Sequence, residues 1–459
     1  MLRPMLPTDS VFLTAESRET PMHVGGLQLF RPPADFGNVH EMFQKLIADT
    51  EIAPLFAKRA RRSISTAGQW GWERDEQFDL EHHVRHNALP KPGRALELLA
   101  LCSRLHGTLL DRKRPLWEFH LIEGLSDGRF AIYFKIHHAL VDGVSAQKLL
   151  QAILTKDPAV RDLPAPWASR PRVARLEQHR SRLNVPRDAL RGALDLAADA
   201  AGLPSALAKT IGRGLKDQAG SVSFAAPRSM FNVPITGSRR FAAQSWPLRR
   251  IKAISRAAKV TVNDVVLATC SGALRSYLSR LNALPDAPLI AMVPVALKVR
   301  ERGAEGGNAV GAVMCNLGTN LADPADRLDT VRESMVNGKD ALAGMTPLQI
   351  VAMTGIGMSP LMLQGLPGYP ELFRPPFNII ISNVPGPRAK LYLDGAALDG
   401  LYPLSIPYHG QALNITCQSY HQDIAFGLTG CRRAVPHLQW LLGYLDDELG
   451  ALERAVGIG

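Results

Sequence analysis

From residue 129 to 138 the chain reads RFAIYFKIHH, with Phe130, Ile132, Phe134 and Ile136 at alternate positions. A period of two puts them on one face of a β-strand. HVGGLQLF (23–30) predicts another strand. Between the two, the period changes: Val39, Met42, Phe43, Leu46 and Ile47 repeat at helical spacing over 39–50. Beyond Gly143, VSAQKLLQAILTK predicts a helix striped with Leu149, Leu150, Ile153 and Leu154. Farther on, VNDVVLATCSGALRSYL (262–278) predicts a buried helix with Asn263 and Asp264 near its start. PLIAMVPVAL (288–297) and FNIIISNV (377–384) are nearly all apolar, as central strands are. LNITCQSY (413–420) and IAFGLTG (424–430) predict a hairpin, and 434–455 a helix with Leu438, Leu441, Leu442, Leu445, Leu449 and Leu452 on one side.

Strand and helix signals mix over 1–160 and again over 231–459, so two α/β domains are expected. Residues 161–230 predict a basic helical linker. It opens with the proline-rich DLPAPWASRPR (162–172), and Pro186 and Pro204 break its arginine-bearing Ala/Leu stretch. The same stretch also reads as a basic membrane-facing segment. The most apolar run, IVAMTGIGMSPLMLQGLPGYP (350–370), is interrupted by Thr354, Ser359, Pro360 and Gln364. It predicts a broken buried helix or an apolar wall rather than a membrane span.

Composition narrows the classes. With 46% hydrophobic and 21% charged residues over 459 positions, the chain can bury large cores and is not disordered. A net charge of +11 favours anionic partners: phosphates, anionic lipid surfaces or nucleic acid. No nucleic-acid module is recognisable, so no nucleic-acid partner is expected. MLRPMLPTDS lacks the apolar core of a signal peptide. The cysteines, Cys102, Cys270, Cys315, Cys417 and Cys431, form no CxxC pair, which argues against a disulfide framework or zinc ribbon and suits a cytoplasmic setting.

The chemistry concentrates in FKIHHALVDGVSA (134–146). Adjacent strand side chains point to opposite faces. His138 therefore falls with Phe130–Ile136, and His137 with Tyr133 and Lys135. Gly143 is expected to permit a sharp turn into the helix, and Asp142 to anchor that turn by pairing with a cation. Three readings are open: a metal site, which diverging histidines disfavour; buried structural histidines; and a general base.

HHALVDG matches the HHxxxDG signature of CoA-dependent acyltransferases. LPTDSVFLTAESRETPMHVGGLQLF (6–30), LEHHVRHNALPKPG (80–93), RPLWEFHLIEGL (114–125), GGNAVGAVM (306–314) and NIIISNVPGPRAKLYLDGA (378–396) follow in order. With VNDVVLATCSGALRSYL, this set resembles the bacterial wax ester synthase/diacylglycerol acyltransferase family along nearly the whole chain.

The resemblance implies an α/β fold of two chloramphenicol-acetyltransferase-like domains, mixed sheets flanked by helices, with an active-site channel between them. It implies acyl transfer from acyl-CoA, as co-substrate and without a further cofactor or metal, to a long-chain alcohol or to diacylglycerol. It also implies peripheral association with a membrane or lipid-inclusion surface. Carried over by position, His138 is the general base, His137 its support and Asp142 the structural aspartate. Asn263, paired with Asp264, is the oxyanion donor or positions His138; a helix N-cap is the competing role for Asn263.

No acyl-enzyme is expected, because no GxSxG elbow exists and Cys270 fits helix packing. After Val293-Pro294-Val295 the family usually reads Ser, an apolar residue and Arg; here Ala296, Leu297 and Lys298 stand. Lys298 would then meet Asp142 as a point charge, with Arg239, Arg240 or Arg300 as substitutes. Trp117, Gly355 and Met358 are candidate channel-wall residues. His82–His83 lacks the spaced Asp-Gly and predicts a surface or structural segment, while His23 and His120 are expected to be buried and hydrogen-bonded. Two other functions fit the same residues: a condensation-type enzyme using a carrier-protein thioester, and a non-catalytic lipid-inclusion surface protein.

Overall fold

Period-two apolar alternation becomes two different cores on the two faces of one strand. In the computed structural model, which describes residues 2–5, 7–49, 51–63, 68–168, 226–298, 308–343 and 374–459, Phe130–His137 is a strand buried along its whole length. Its Phe130, Ile132, Phe134 and Ile136 join one apolar cluster. Ala131 and Tyr133 join another on the opposite face.

In chain order the first half carries β1 (Arg3–Pro4), α1 (Pro7–Ala15), β2 (His23–Arg31), α2 (Val39–Ala48), α3 (Pro54–Ala57), β3 (Lys58–Arg62) and β4 (Trp70–Arg74). It continues with α4 (Leu80–His83), β5 (Val84–Ala88), α5 (Ala95–Gly107), β6 (Trp117–Glu123), β7 (Phe130–His137) and α6 (Gly143–Ala152). The second half carries β8 (Arg239–Pro247), α7 (Leu248–Ala257), α8 (Val262–Arg280), β9 (Ile290–Lys298), β10 (Asn308–Asn316) and α9 (Pro324–Ala343). It ends with β11 (Ile379–Val384), β12 (Tyr392–Leu393), β13 (Ala396–Leu404), β14 (Leu413–Tyr420), β15 (Asp423–Cys431) and α10 (Trp440–Ala455).

Two mixed six-stranded sheets result, in orders β12-β13-β2-β7-β6-β5 and β10-β9-β11-β14-β15-β8, with a small β1-β4-β3 sheet beside the first. The two apolar segments expected to be central, β9 and β11, lie inside the second sheet, and β14–β15 is the expected antiparallel hairpin. Helix α8 is apolar all round and correspondingly buried along most of its length. The basic stretch 173–216 and the apolar run 350–370, with Gly355 and Met358, lie outside the described residues.

One expectation needs correcting. Residues 231–459 do not all belong to the second domain. After β11 the chain crosses over, and β13 pairs antiparallel with β2, from Ala397 opposite Arg31 to Leu404 opposite Gly25. Leu391, Leu393, Leu398 and Leu401 bury in the first half's core. Apolar periodicity reports that a segment is a strand, not which sheet it joins. The crossing also brings the sheets into close approach: a Cβ on Gly427 of β15 would sit 2.0 Å from the Pro403 carbonyl oxygen.

Candidate active site

β7 and β2 run antiparallel with His137 opposite His23, so the histidine pair lies at the very end of the first sheet. The two imidazoles then part. His137 is fully buried behind the strand. Its Nδ1 accepts the Ala139 N–H at 3.1 Å, which leaves the proton on Nε2. That Nε2 lies 3.3 Å from Glu16 Oε1, at ion-pair distance but off the hydrogen-bond line. His138 faces the other way. Its N–H donates to the Met22 carbonyl at 2.9 Å, and its ring stacks on Phe12 with centroids 4.0 Å apart.

Glu16 joins the pieces. Its carboxylate accepts the Met22 N–H at 3.1 Å and Arg112 Nε at 2.9 Å. Arg112 also donates to the Leu13 and Glu16 carbonyls, each at 3.0 Å, and so secures the end of α1. Burial alone would raise the Glu16 pKa. The neighbouring His137, the Met22 N–H and Arg112 outweigh it and hold the carboxyl below its ordinary value.

His138 opens onto a cavity of about 850 Å³. One wall comes from the first half: α1 with Val11 and Phe12, β2 with Val24 and Gly25, and α6 with Ala146 and Leu150. The facing wall comes from β11 and β14, and residues 403–406 with Tyr408 and His409 close one side. Most of the lining is apolar, as a long hydrocarbon chain requires. His106 ties the closing segment to α5, with Nδ1 2.9 Å from Tyr133 Oη and Nε2 donating to the Ser405 carbonyl at 2.8 Å. Burial pulls the His106 pKa down to about 3, so the ring is neutral at pH 7.

The sequence-derived candidates scatter around this cavity. Asp142 and Gly143 line it with His138. Asp142 is not seen in an ion pair among the described residues. It caps α6 instead, accepting the Ser145 N–H at 2.8 Å and Ser145 Oγ at 2.9 Å. Gly143 has no left-handed φ, and among the described residues a Cβ there would meet nothing within 4 Å. The turn does not need the glycine; the missing side chain leaves the cavity open. Lys298 ends β9 opposite Asn308. Arg239 binds backbone carbonyls rather than Asp142, those of Thr236, of Glu19 at 2.6 Å and of Pro407, and Arg300 lies outside the described residues.

Asn263 does not line the cavity. Thr261 is the N-cap of α8, in a capping box with Asp264, and Asn263 Oδ1 accepts from Asn383 Nδ2 at 3.3 Å. Trp117 also stays away from the cavity. It is fully buried, donates from Nε1 to the Phe56 carbonyl at 2.8 Å, and packs against His83 and Trp167. His83 accordingly is a core residue, bonded to the Trp117 carbonyl. Among the described residues, no group of three His, Cys, Asp or Glu side chains could hold a metal ion.

Sequence reasoning missed Glu16, Arg112 and the polar face of β14. Only the last left a signal: Asn414, Thr416 and Gln418 alternate with Ile415 and Cys417 in a strand that lies inside its sheet.

Two mixed sheets sharing an apolar cavity, with a histidine pair closing one strand, define a fold of two-domain build. The first condensation domain of the CDA synthetase has the same fold, with a TM-score of 0.60 over 98% of this chain and 96% of that one at 14% identity. The chain belongs to the wax ester synthase/diacylglycerol acyltransferase family: residues 5–266 match its catalytic domain and residues 306–453 its C-terminal domain. A Mycobacterium tuberculosis protein named "probable diacylglycerol O-acyltransferase" is 50% identical over 99% of each chain. A solved wax ester synthase/diacylglycerol acyltransferase from Marinobacter aquaeolei VT8 is 39% identical, with a TM-score of 0.79 over 99% of this chain and 100% of that one.

Proposed function

We propose that this acyltransferase moves the acyl group of a long-chain acyl-CoA to the free hydroxyl of diacylglycerol, and also to long-chain alcohols. The observation that carries the reading is His138 on the wall of an apolar cavity lined by both halves of the chain. Diacylglycerol comes first because the mycobacterial relatives at 50% identity are named for that acceptor.

In the mechanism, His138 takes the acceptor hydroxyl proton as the oxygen attacks the thioester carbonyl. The tetrahedral intermediate collapses, the C–S bond breaks, and the imidazolium returns the proton to the CoA thiolate. Products are the new ester and free CoA. His137 and Glu16 fix the strand end that presents His138. Ser382 and Ser405 line the cavity and offer hydroxyl donors for the oxyanion, a contribution of about 3 kcal/mol. Asn263, bonded to Asn383, supports the β11 wall rather than the oxyanion.

The thioester is already activated, so no further cofactor is needed. Among the described residues no cysteine lines the cavity, which favours direct transfer within a ternary complex over an acyl-enzyme. The net charge of +11 suits work at an anionic membrane or lipid-inclusion surface, where both apolar substrates reside.

The test is CoA release from palmitoyl-CoA with dioleoylglycerol or hexadecanol. His138→Ala is expected to lower kcat by about a hundredfold or more. Wild-type protein inactive with both acceptors, or a His138→Ala variant at near wild-type rate, overturns the reading.

A further inference from the structure

The wall of the apolar cavity holds several buried polar atoms without a hydrogen-bond partner among the described residues. Gln418 on β14 is completely buried and lines the cavity. Among the described residues, neither its Nε2 nor its Oε1 has a hydrogen-bond partner. Buried amides are nearly always bonded, because desolvating one without compensation is costly. Gln418 does not stand alone. Asn414 and Thr416 share its face of β14, Thr416 Oγ1 donating to Asn414 Oδ1 at 3.0 Å, and all three line the cavity. Ser382 lies beside Thr416 in the parallel register of β11. Across the cavity, Gln147 of α6 is also buried, and among the described residues neither its Oε1 nor Tyr408 Oη has a partner.

This wall is wasted on a fatty alcohol. Its one polar group, the hydroxyl, must sit at His138, and the rest is hydrocarbon. A diacylglycerol brings two ester groups as well, whose carbonyls accept hydrogen bonds and cannot be left dry without loss. We infer that Gln418, with Thr416 and Asn414, is an ester-binding stripe that recognises the acyl-ester carbonyls of a diacylglycerol acceptor and makes the enzyme prefer it to a plain long-chain alcohol. The inference rests on the acyl-transfer activity proposed above. The pantetheine arm of the acyl-CoA donor presents similar carbonyls, and it is separated from the acceptor by kinetics.

The experiment compares Gln418→Leu, which keeps the volume and removes the amide, with wild type. CoA release is measured with dioleoylglycerol and with hexadecanol, and the KM of palmitoyl-CoA is determined with each acceptor. A site built to bond a carbonyl loses that substrate selectively. The expected result is a fall of about tenfold or more in kcat/KM for dioleoylglycerol, with hexadecanol turnover held within about twofold and the palmitoyl-CoA KM unchanged. Thr416→Val is the second variant, expected to shift the same ratio in the same direction should Gln418→Leu fold poorly. Equal losses with both acceptors, a raised palmitoyl-CoA KM with both, or an unchanged ratio in both variants overturns the inference while leaving the activity standing. Wild-type protein that releases no CoA with either acceptor overturns the activity, and the stripe's role with it.

Discussion

Glu16 Oε1 and His137 Nε2 lie 3.3 Å apart with both side chains sealed from solvent, and neither lines the cavity into which the adjacent His138 opens. The pair is a foundation laid behind the general base. Glu16→Gln preserves shape and removes the charge shared by His137 and Arg112. It is expected to lower kcat by about tenfold with little change in KM, because the defect lies in the presentation of His138 rather than in binding. A loss of about 1 kcal/mol in stability accompanies it, since Arg112 is partly exposed and keeps its bonds to the Leu13 and Glu16 carbonyls. Steady-state kinetics and urea unfolding measure the two effects separately.

Asp142 binds Ser145 at the start of α6, and this separates a cap from an ion-pair anchor. Asp142→Ala should cost about 1 kcal/mol of stability, and Asp142→Asn should restore most of it, because asparagine caps as well as aspartate. An anchor held by charge would fail equally in both variants. Thermal unfolding of the three proteins decides.

Among the described residues, nothing stands within 4 Å of a Cβ on Gly143. Gly143→Val therefore projects into the cavity without backbone strain. At the second residue of the HHxxxDG motif's Asp-Gly it should leave the melting temperature within about 2 °C. It should lower kcat/KM by about tenfold for long acyl chains and less for short ones. A chain-length series of acyl-CoA donors reads the difference.

Several histidines are buried neutral. Burial lowers His106 to about 3, His83 to about 4, and His23 well below its ordinary value. A depressed histidine pKa means the unfolded chain binds the proton more tightly, so stability falls as pH drops below about 6.5 and keeps falling until the folded value is reached. Each such histidine contributes a slope of up to about 1.4 kcal/mol per pH unit in that window. His106→Gln, which can still accept from Tyr133 and donate to Ser405, should flatten the slope between pH 6 and 4. Urea unfolding across that range measures it.

Much of this architecture was legible because burial follows period. The alternation of β7, the all-round apolarity of α8 and the hairpin of β14 and β15 each had a local pattern. HHALVDG marked the site for the same reason: alternation along β7 already separates His137 from His138. What stayed hidden depends on contacts between distant segments. Glu16 is 121 positions from His137, and no local rule says that a carboxylate beyond α1 will be buried under a strand end. Asn263 looked catalytic by its place in a motif, yet it does not line the cavity, and its amide oxygen accepts from Asn383, far along the chain. Trp117 had the right composition for a channel wall, but Phe56, His83 and Trp167 gather round it to make a core.

The crossing of β13 onto β2 has a consequence for how the protein is made. On a ribosome, β2 emerges almost at once, but the strand that covers its outer edge is translated some 370 positions later. Until then the first half carries an open row of backbone donors and acceptors beside an unfinished core, a template for pairing with the wrong chain. Cutting the molecule at its linker would freeze it in that state. The two halves look like domains but mature as one unit, and the last quarter of the chain closes the first.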